Sequence, residues 1–332
     1  MSTPPLYTNS LLFARLPNLA TPHFLSTLIS DAAASTKERL LIILFSPLFK
    51  DGAISHTESW DAVQCILTFV YVQATKIAQD ADRVLMDVDV LLKASDEEIG
   101  EDVLAEMEAV YLVQGDLITA HLPPSLGSLP HIYLPRDPFS HPGSPVASNG
   151  TDNATHNHKP YPPTYPVVAL GGTFDHLHAG HKILLSMGAW IASEKLIAGV
   201  TDDALLGSKS NKDLLQPLPV RISRILKFLR LFNPHIHYDV VPINDVYGPT
   251  GWDPNVQGLV VSKETLGGAA AIAKHREAHS LPALQTFVID VISSSDAKLE
   301  HDDIEMLKQT KMSSTFIREW IAAKKRSEGN HK

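Results

Sequence analysis

Leu170-Gly-Gly-Thr-Phe-Asp-His-Leu-His-Ala-Gly-His181 stands between an apolar run, Val167-Val-Ala-Leu170, and a segment of helical spacing, Lys182-Ile-Leu-Leu-Ser-Met-Gly-Ala-Trp190. The run is short enough for a buried parallel strand, so the stretch reads as strand, glycine turn and a helix opening near His178. Gly171 and Gly172 are expected to let the backbone turn tightly and lie close to a ligand. His178 and His181, three residues apart, share one face of the first helical turn. There the free amides and the helix dipole favour an anion, and Gly180 between the histidines leaves room for a flat ring or a phosphate. The constellation reads as a phosphate-handling site.

Outward from that stretch, the 332 residues predict two domains. At 44% hydrophobic residues the chain can bury substantial cores. A single cysteine, Cys65, excludes an intrachain disulfide framework and suits a reducing compartment. The first residues lack a basic segment followed by an apolar core, so no secretory signal is expected. No apolar run approaches the length that spans a bilayer. A cytoplasmic protein without a membrane span is therefore the expectation. The net charge of −9 is uneven: residues 1–164 hold 9 Lys and Arg against 19 Asp and Glu, and residues 165–332 hold 19 against 18. The nearly neutral half carries the phosphate motif and has local basic clusters, as anionic substrates need. The acidic first half argues against nucleic acid as a partner.

In the first half, residues 1–20 read as a proline-rich irregular arm, 40–45 as a buried strand and 57–79 as a helix. Residues 82–92 read as a second strand and 96–110 as an acidic helix. The alternation predicts a small α/β domain over residues 1–135, with a degenerate copy of the second domain as one option. Residues 122–166 hold eleven prolines and predict a surface excursion, with 136–164 as linker. Two glycosylation sequons at Asn149 and Asn153 have no use in the cytosol, and His156 and His158 read as solvated.

In the second half, strands are predicted at 195–201, 237–243, 257–262 and 286–292, alternating with helices such as the basic, amphipathic 220–232. That pattern predicts a doubly wound parallel sheet, a Rossmann-like α/β fold over 165–332, with ligands at the carboxyl ends of the strands. The motif turn, the loop 201–212 with Lys209 and Lys212, and the segment 262–265 all fall at such ends. Lys311-Met-Ser-Ser-Thr-Phe-Ile-Arg-Glu319 contains a Ser-Ser-Thr run able to start a helix whose hydroxyls and amides face an anion, with Arg318 one turn inside.

The G-G-T-F-D-x-x-H-x-G-H pattern resembles the signature of the nucleotidyltransferase superfamily, and Ser313, Ser314, Thr315 and Arg318 resemble its second signature. The match covers roughly residues 165–325. With Lys209, Pro219-Val-Arg221, Val260-Val-Ser-Lys-Glu-Thr265 and Met312-Ser-Ser-Thr-Phe-Ile-Arg318, it is similar to the eukaryotic and archaeal phosphopantetheine adenylyltransferases of coenzyme A synthesis. The late Arg-Thr-x-Gly-x-Ser-Thr-Thr pattern of phospho-alcohol cytidylyltransferases is missing. No P-loop of a fused dephospho-coenzyme A kinase occurs, so a monofunctional, fungal-like form is the expectation.

The resemblance implies transfer of the adenylyl group of ATP to 4′-phosphopantetheine. The attacking group is already a phosphate anion, so positioning and charge stabilisation carry the rate without a protein nucleophile. By the same resemblance Thr173 orients the acceptor phosphate and Lys209, or else Lys212, holds it. His181 meets the α-phosphate, and His178 binds the triphosphate. Ser313, Ser314, Thr315 and Arg318 hold the pyrophosphate. Gly171, Gly172, Phe174, Gly180 and Arg221 join the substrate-binding set, and Ser262, Glu264 and Thr265 line the nucleotide pocket. Mg²⁺ bridges the phosphates with few or no protein ligands; Asp175 either touches that ion or caps the turn. The acidic domain would regulate, oligomerise or dock other enzymes of the pathway. The rivals are another nucleotidyltransferase, such as a cytidylyltransferase, and a non-catalytic nucleotide-binding scaffold.

Overall fold

Apolar runs flanked by turn residues form the strands, and helices pack against the sheets these strands build. In the computed structural model, residues 5–137, 161–289 and 313–329 are described. The predicted linker 138–160, both sequons, His156 and His158, and residues 290–312 lie outside them. The chain divides into two compact units, Met1–Ala74 with Val90–Thr164, and Thr75–Asp89 with Tyr165–Lys332.

The first unit is built on β1 (Tyr7–Arg15), β2 (Thr36–Phe45), β3 (Asp87–Lys93, whose first three residues group with the second unit), β4 (Ala109–Val113) and β5 (His131–Leu134), ordered β3-β2-β1-β4-β5. Helices α1 (Ser26–Ala34) and α2 (Trp60–Asp80) follow β1 and β2. Three expectations need correction here. Residues 1–20 are not an irregular arm: β1 is the central strand, with Leu11, Leu12, Phe13 and Ala14 buried, and the prolines flank it. Residues 96–110 are not one helix, because only α3 (Glu101–Leu104) winds and Glu106 turns to a left-handed φ of 68°. Burial of Ala109, Val110 and Tyr111 against β1 outweighs the helix preference of that acidic run. The excursion after Leu122 returns to the sheet as β5, paired with β4.

The second unit holds β6 (Tyr165–Gly172), β7 (Ala192–Thr201), β8 (His237–Ile243), β9 (Gly258–Ser262) and β10 (Gln285–Ile289), ordered β10-β9-β6-β7-β8. The described pairings are parallel. Its helices are α4 (Ala179–Ile191), α5 (Leu218–Phe232), α6 (Leu266–Ala278) and α7 (Ser314–Gly329). This is the doubly wound α/β fold read from the sequence. Strand order reverses between β6 and β9, and ligands of such sheets sit outside the carboxyl ends at that switch point.

Counted along the chain, both sheets have the strand order 3-2-1-4-5. The register slips at the same place in each, between Tyr7 and Asn9 on β1 and between Tyr165 and Val167 on β6. The first unit therefore repeats the topology of the second without its Gly-Gly turn or histidine pair.

Candidate functional site

The motif starts where β6 ends. Gly171 pairs with Gly199 and Gly172 with Val200, so both glycines are still extended sheet residues. A Cβ on Gly172 would lie 3.2 Å from the Phe174 ring, which explains glycine there by close approach. The left-handed turning falls instead on Phe174 (φ 51°) and His176 (φ 43°), the reverse of the sequence expectation. A bulky residue in that region costs about 1–3 kcal/mol and persists only where its surroundings hold it. Phe174 is wholly buried with its ring 5.2 Å from His181. It packs against the histidine, and its burial leaves no exposed ring surface for the substrate contact expected of it. His176 is held by Gln216 Oε1, which accepts its N–H, and by a ring contact of 2.8 Å to the Leu214 carbonyl.

α4 then starts with His178 as its N-cap residue, whose side chain makes no capping bond, so the N-terminal amides of α4 stay available. The His178 and His181 rings stack at 3.8 Å. Both Nδ1 atoms are buried without a hydrogen-bond partner. Burial pushes the His181 pKa down to about 4, with Asp175 partly opposing. Burial also lowers His178 well below the ordinary imidazole value, and His181, His176 and Lys182 add to this. Two neutral rings with uncommitted nitrogens form the start of this helix, an arrangement that an anion would complete.

Asp175 joins the second motif to the first. Its Oδ1 accepts the Gln216 N–H (2.9 Å), and its Oδ2 is paired with Arg318 Nη1 (2.6 Å) inside the protein. Its carbonyl accepts from Ser314 Oγ (2.7 Å). Asp175 thus takes the turn-capping role and not that of a metal ligand. Arg318 also donates to the Ser210 carbonyl (2.9 Å) and Thr315 Oγ1 (3.3 Å), and is 2% exposed. Three of its five N–H donors are thus used within the fold, so the residue expected at the pyrophosphate also ties α7 to the motif turn. Ser313 Oγ accepts the Phe316 N–H (3.2 Å), so the Ser-Ser-Thr run does start α7.

Arg221 was expected among the substrate contacts, and it too is fully buried. Its guanidinium donates to the carbonyls of Gln216 (3.0 Å), Thr173 (2.7 Å) and Thr201 (2.9 Å) and pairs with Asp203. It ties the ends of β6 and β7 to the loop between β7 and α5. Lys209 and Lys212 are exposed on that loop. Ser210, bonded to Arg318, anchors it beside α7. Thr173 is half-buried at the end of β6. Ser262 and Thr265 satisfy each other, Ser262 N–H donating to Thr265 Oγ1 (3.0 Å), which makes them a helix cap; Glu264 is exposed.

The sequence reading missed Gln216, whose side chain and backbone clamp opposite sides of the motif turn, and Lys182, buried among Asp87, Val88 and Asp89. The visible signal was Asp87-Val-Asp89, two acids alternating inside an apolar strand.

No family model matches the chain. A phosphopantetheine adenylyltransferase from Pyrococcus furiosus is 35% identical over 130 residues, 39% of this chain and 80% of that enzyme. The chain belongs to the phosphopantetheine adenylyltransferase family. The family's relative in Saccharomyces cerevisiae is 40% identical over 156 residues, 46% of this chain and 51% of its own, and the one in Pyrobaculum aerophilum is 33% identical over 125 residues. The chain thus spans about half the length of the yeast relative. A solved protein of unknown function from Archaeoglobus fulgidus is 30% identical over 39% of this chain, at a TM-score of 0.34. No helix among the described residues is long and apolar enough to cross a membrane.

Proposed function

We propose that the chain transfers the adenylyl group of ATP to the phosphate of 4′-phosphopantetheine, releasing pyrophosphate and giving dephospho-coenzyme A. The observation that carries this is the convergence of two anion-seeking helix starts on one turn: the His178–His181 pair on α4, and Ser313 to Thr315 on α7, joined through Asp175. The names of the relatives support the substrates. An acceptor phosphate oxygen attacks the α-phosphorus and the bond to the leaving pyrophosphate breaks, so no proton has to be removed. Thr173 orients the acceptor phosphate and Lys209 holds it; His181 donates to the α-phosphate as charge builds there, and His178 to the triphosphate. The amides of Ser313, Ser314 and Thr315 and the hydroxyls of Ser313 and Thr315 receive the pyrophosphate, while the Ser314 hydroxyl holds the motif turn.

Mg²⁺ enters with ATP. The described residues hold no group of three His, Cys, Asp or Glu side chains that would ligate it, and Asp175 is committed elsewhere. An ion carried by phosphates and water fits that donor set. The enzyme would work in the cytosol, where the acidic first unit would meet other enzymes of the pathway. Pyrophosphate release by purified protein should require ATP with phosphopantetheine. Faster release with CTP and phosphocholine, or with nicotinamide mononucleotide, would replace this reading.

A further inference from the structure

Residues 75–89 come from the first half of the chain and yet belong to the second unit. They grip both helices that start at the candidate site. On α4 the contact is Lys182, the residue after His181. Its buried Nζ donates to Asp89 Oδ1 (2.7 Å), the Val88 carbonyl (2.8 Å) and Asp87. Three acceptors use the three protons of an ammonium. The Lys182 N–H donates to the His178 carbonyl (3.0 Å), closing the turn that carries both histidines. On α7 the contact is Asp82, which accepts from Trp320 Nε1 (2.7 Å) and pairs with Lys324 Nζ (2.9 Å). A cleft is lined by Leu85 and Asp87 of the segment together with His178 and Ile317 from the starts of α4 and α7.

We propose that residues 75–89 form a brace that sets the spacing of the α4 and α7 N-termini, with Asp87 and Asp89 acting through Lys182, and Asp82 through Trp320 and Lys324, as positioning residues. The proposal rests on the adenylyl-transfer reading above. Apolar side chains of equal volume would fill the same space with no loss of stability. A buried ammonium with three fixed acceptors adds direction, and direction is what an in-line transfer between two helix starts needs. Burial by itself would push Lys182 towards neutrality, but the two carboxylates outweigh it and raise the pKa above the ordinary lysine value.

In the full-length protein, Asp87→Asn with Asp89→Asn leaves Lys182 buried beside neutral amides. We expect a lower Tm and kcat reduced about tenfold or more per folded molecule. Adding Lys182→Met removes the orphaned charge. Tm should then recover while kcat stays low. Recovery of both, or a double variant with full kcat, reduces the cluster to a stability role and overturns the proposal. If those variants do not fold, Asp82→Ala on its half-exposed pair decides. Amide exchange should quicken in α7 from Ile317 to Lys324 and KM for ATP should rise about threefold, with a smaller change in kcat. Unchanged exchange and KM overturn the brace. Wild-type protein that makes no dephospho-coenzyme A defeats the adenylyl-transfer reading alone, and the exchange comparison still judges the brace.

Discussion

His181 holds a neutral ring in a place where charge would develop, and that combination sets its expected effect. A preorganised donor of this kind is worth about 2.7–4 kcal/mol in the transition state, so His181→Ala should lower kcat by roughly 10²–10³ with little change in ATP affinity. A variant keeping most of its kcat would remove His181 from the reacting centre. The same burial has a consequence for stability. Unfolded histidines take up a proton near the ordinary imidazole pKa of about 6.5, whereas folded His181 does so only at about 4 and folded His178 well below its ordinary value. Below about pH 6.5 the unfolded state therefore binds more protons. The contribution of the pair is fully present above that pH and is lost as pH falls towards 4. Thermal midpoints between pH 7.5 and about 4.5 should fall for the wild type and fall less for a double glutamine variant of His178 and His181. Equal slopes would contradict the depressed pKa values.

At the scale of elements, the loop between β7 and α5 carries both candidate lysines, Lys209 and Lys212. Arg221 and the Ser210–Arg318 bond fix its ends, and Asn211 turns it with a left-handed φ of 49° between Lys209 and Lys212. If Lys209 holds the acceptor phosphate, Lys209→Ala should raise KM for phosphopantetheine more than KM for ATP. Steady-state kinetics on Lys209→Ala and Lys212→Ala in parallel would decide between them, and a larger effect on ATP would move the residue to the nucleotide side. Sequence spacing located this loop and both helix starts, because strand, turn and helix follow from local pattern. It could not tell that Arg221 and Arg318 face inward. An arginine one turn into an amphipathic helix has the same sequence signature whether its guanidinium meets a phosphate or the carbonyls and carboxylates of its own fold.

For the whole molecule, residues 165–332 read alone predict an independent catalytic domain, and a fragment starting near Pro160 would be expected to fold with kcat close to the full chain. The brace changes that expectation. Such a fragment lacks Asp82, Asp87 and Asp89 and leaves Lys182 buried without its carboxylates. Removing one side of a buried ion pair costs about 3–5 kcal/mol, a large share of the stability of a typical domain. The fragment should melt well below the full chain or express as insoluble protein, and Lys182→Met within it should restore part of the loss. A fragment with a normal midpoint would mean that other contacts replace the brace.

By itself the sequence determined the α/β class, the parallel strands of the second unit and the two helix starts at the motif turns. Apolar runs, glycine pairs and hydroxyl caps act over a few residues, so their outcome is legible locally. Tertiary structure decided the rest, where the partner is distant in the chain. It made β1 a central strand, since burial of Leu11 to Ala14 on both faces needs neighbours that the sequence names only far away. It spent Arg221, Arg318 and Asp175 on holding the turn. It also drew residues 75–89 to α4 and α7, because the charge of buried Lys182 demands carboxylates that lie more than ninety positions earlier.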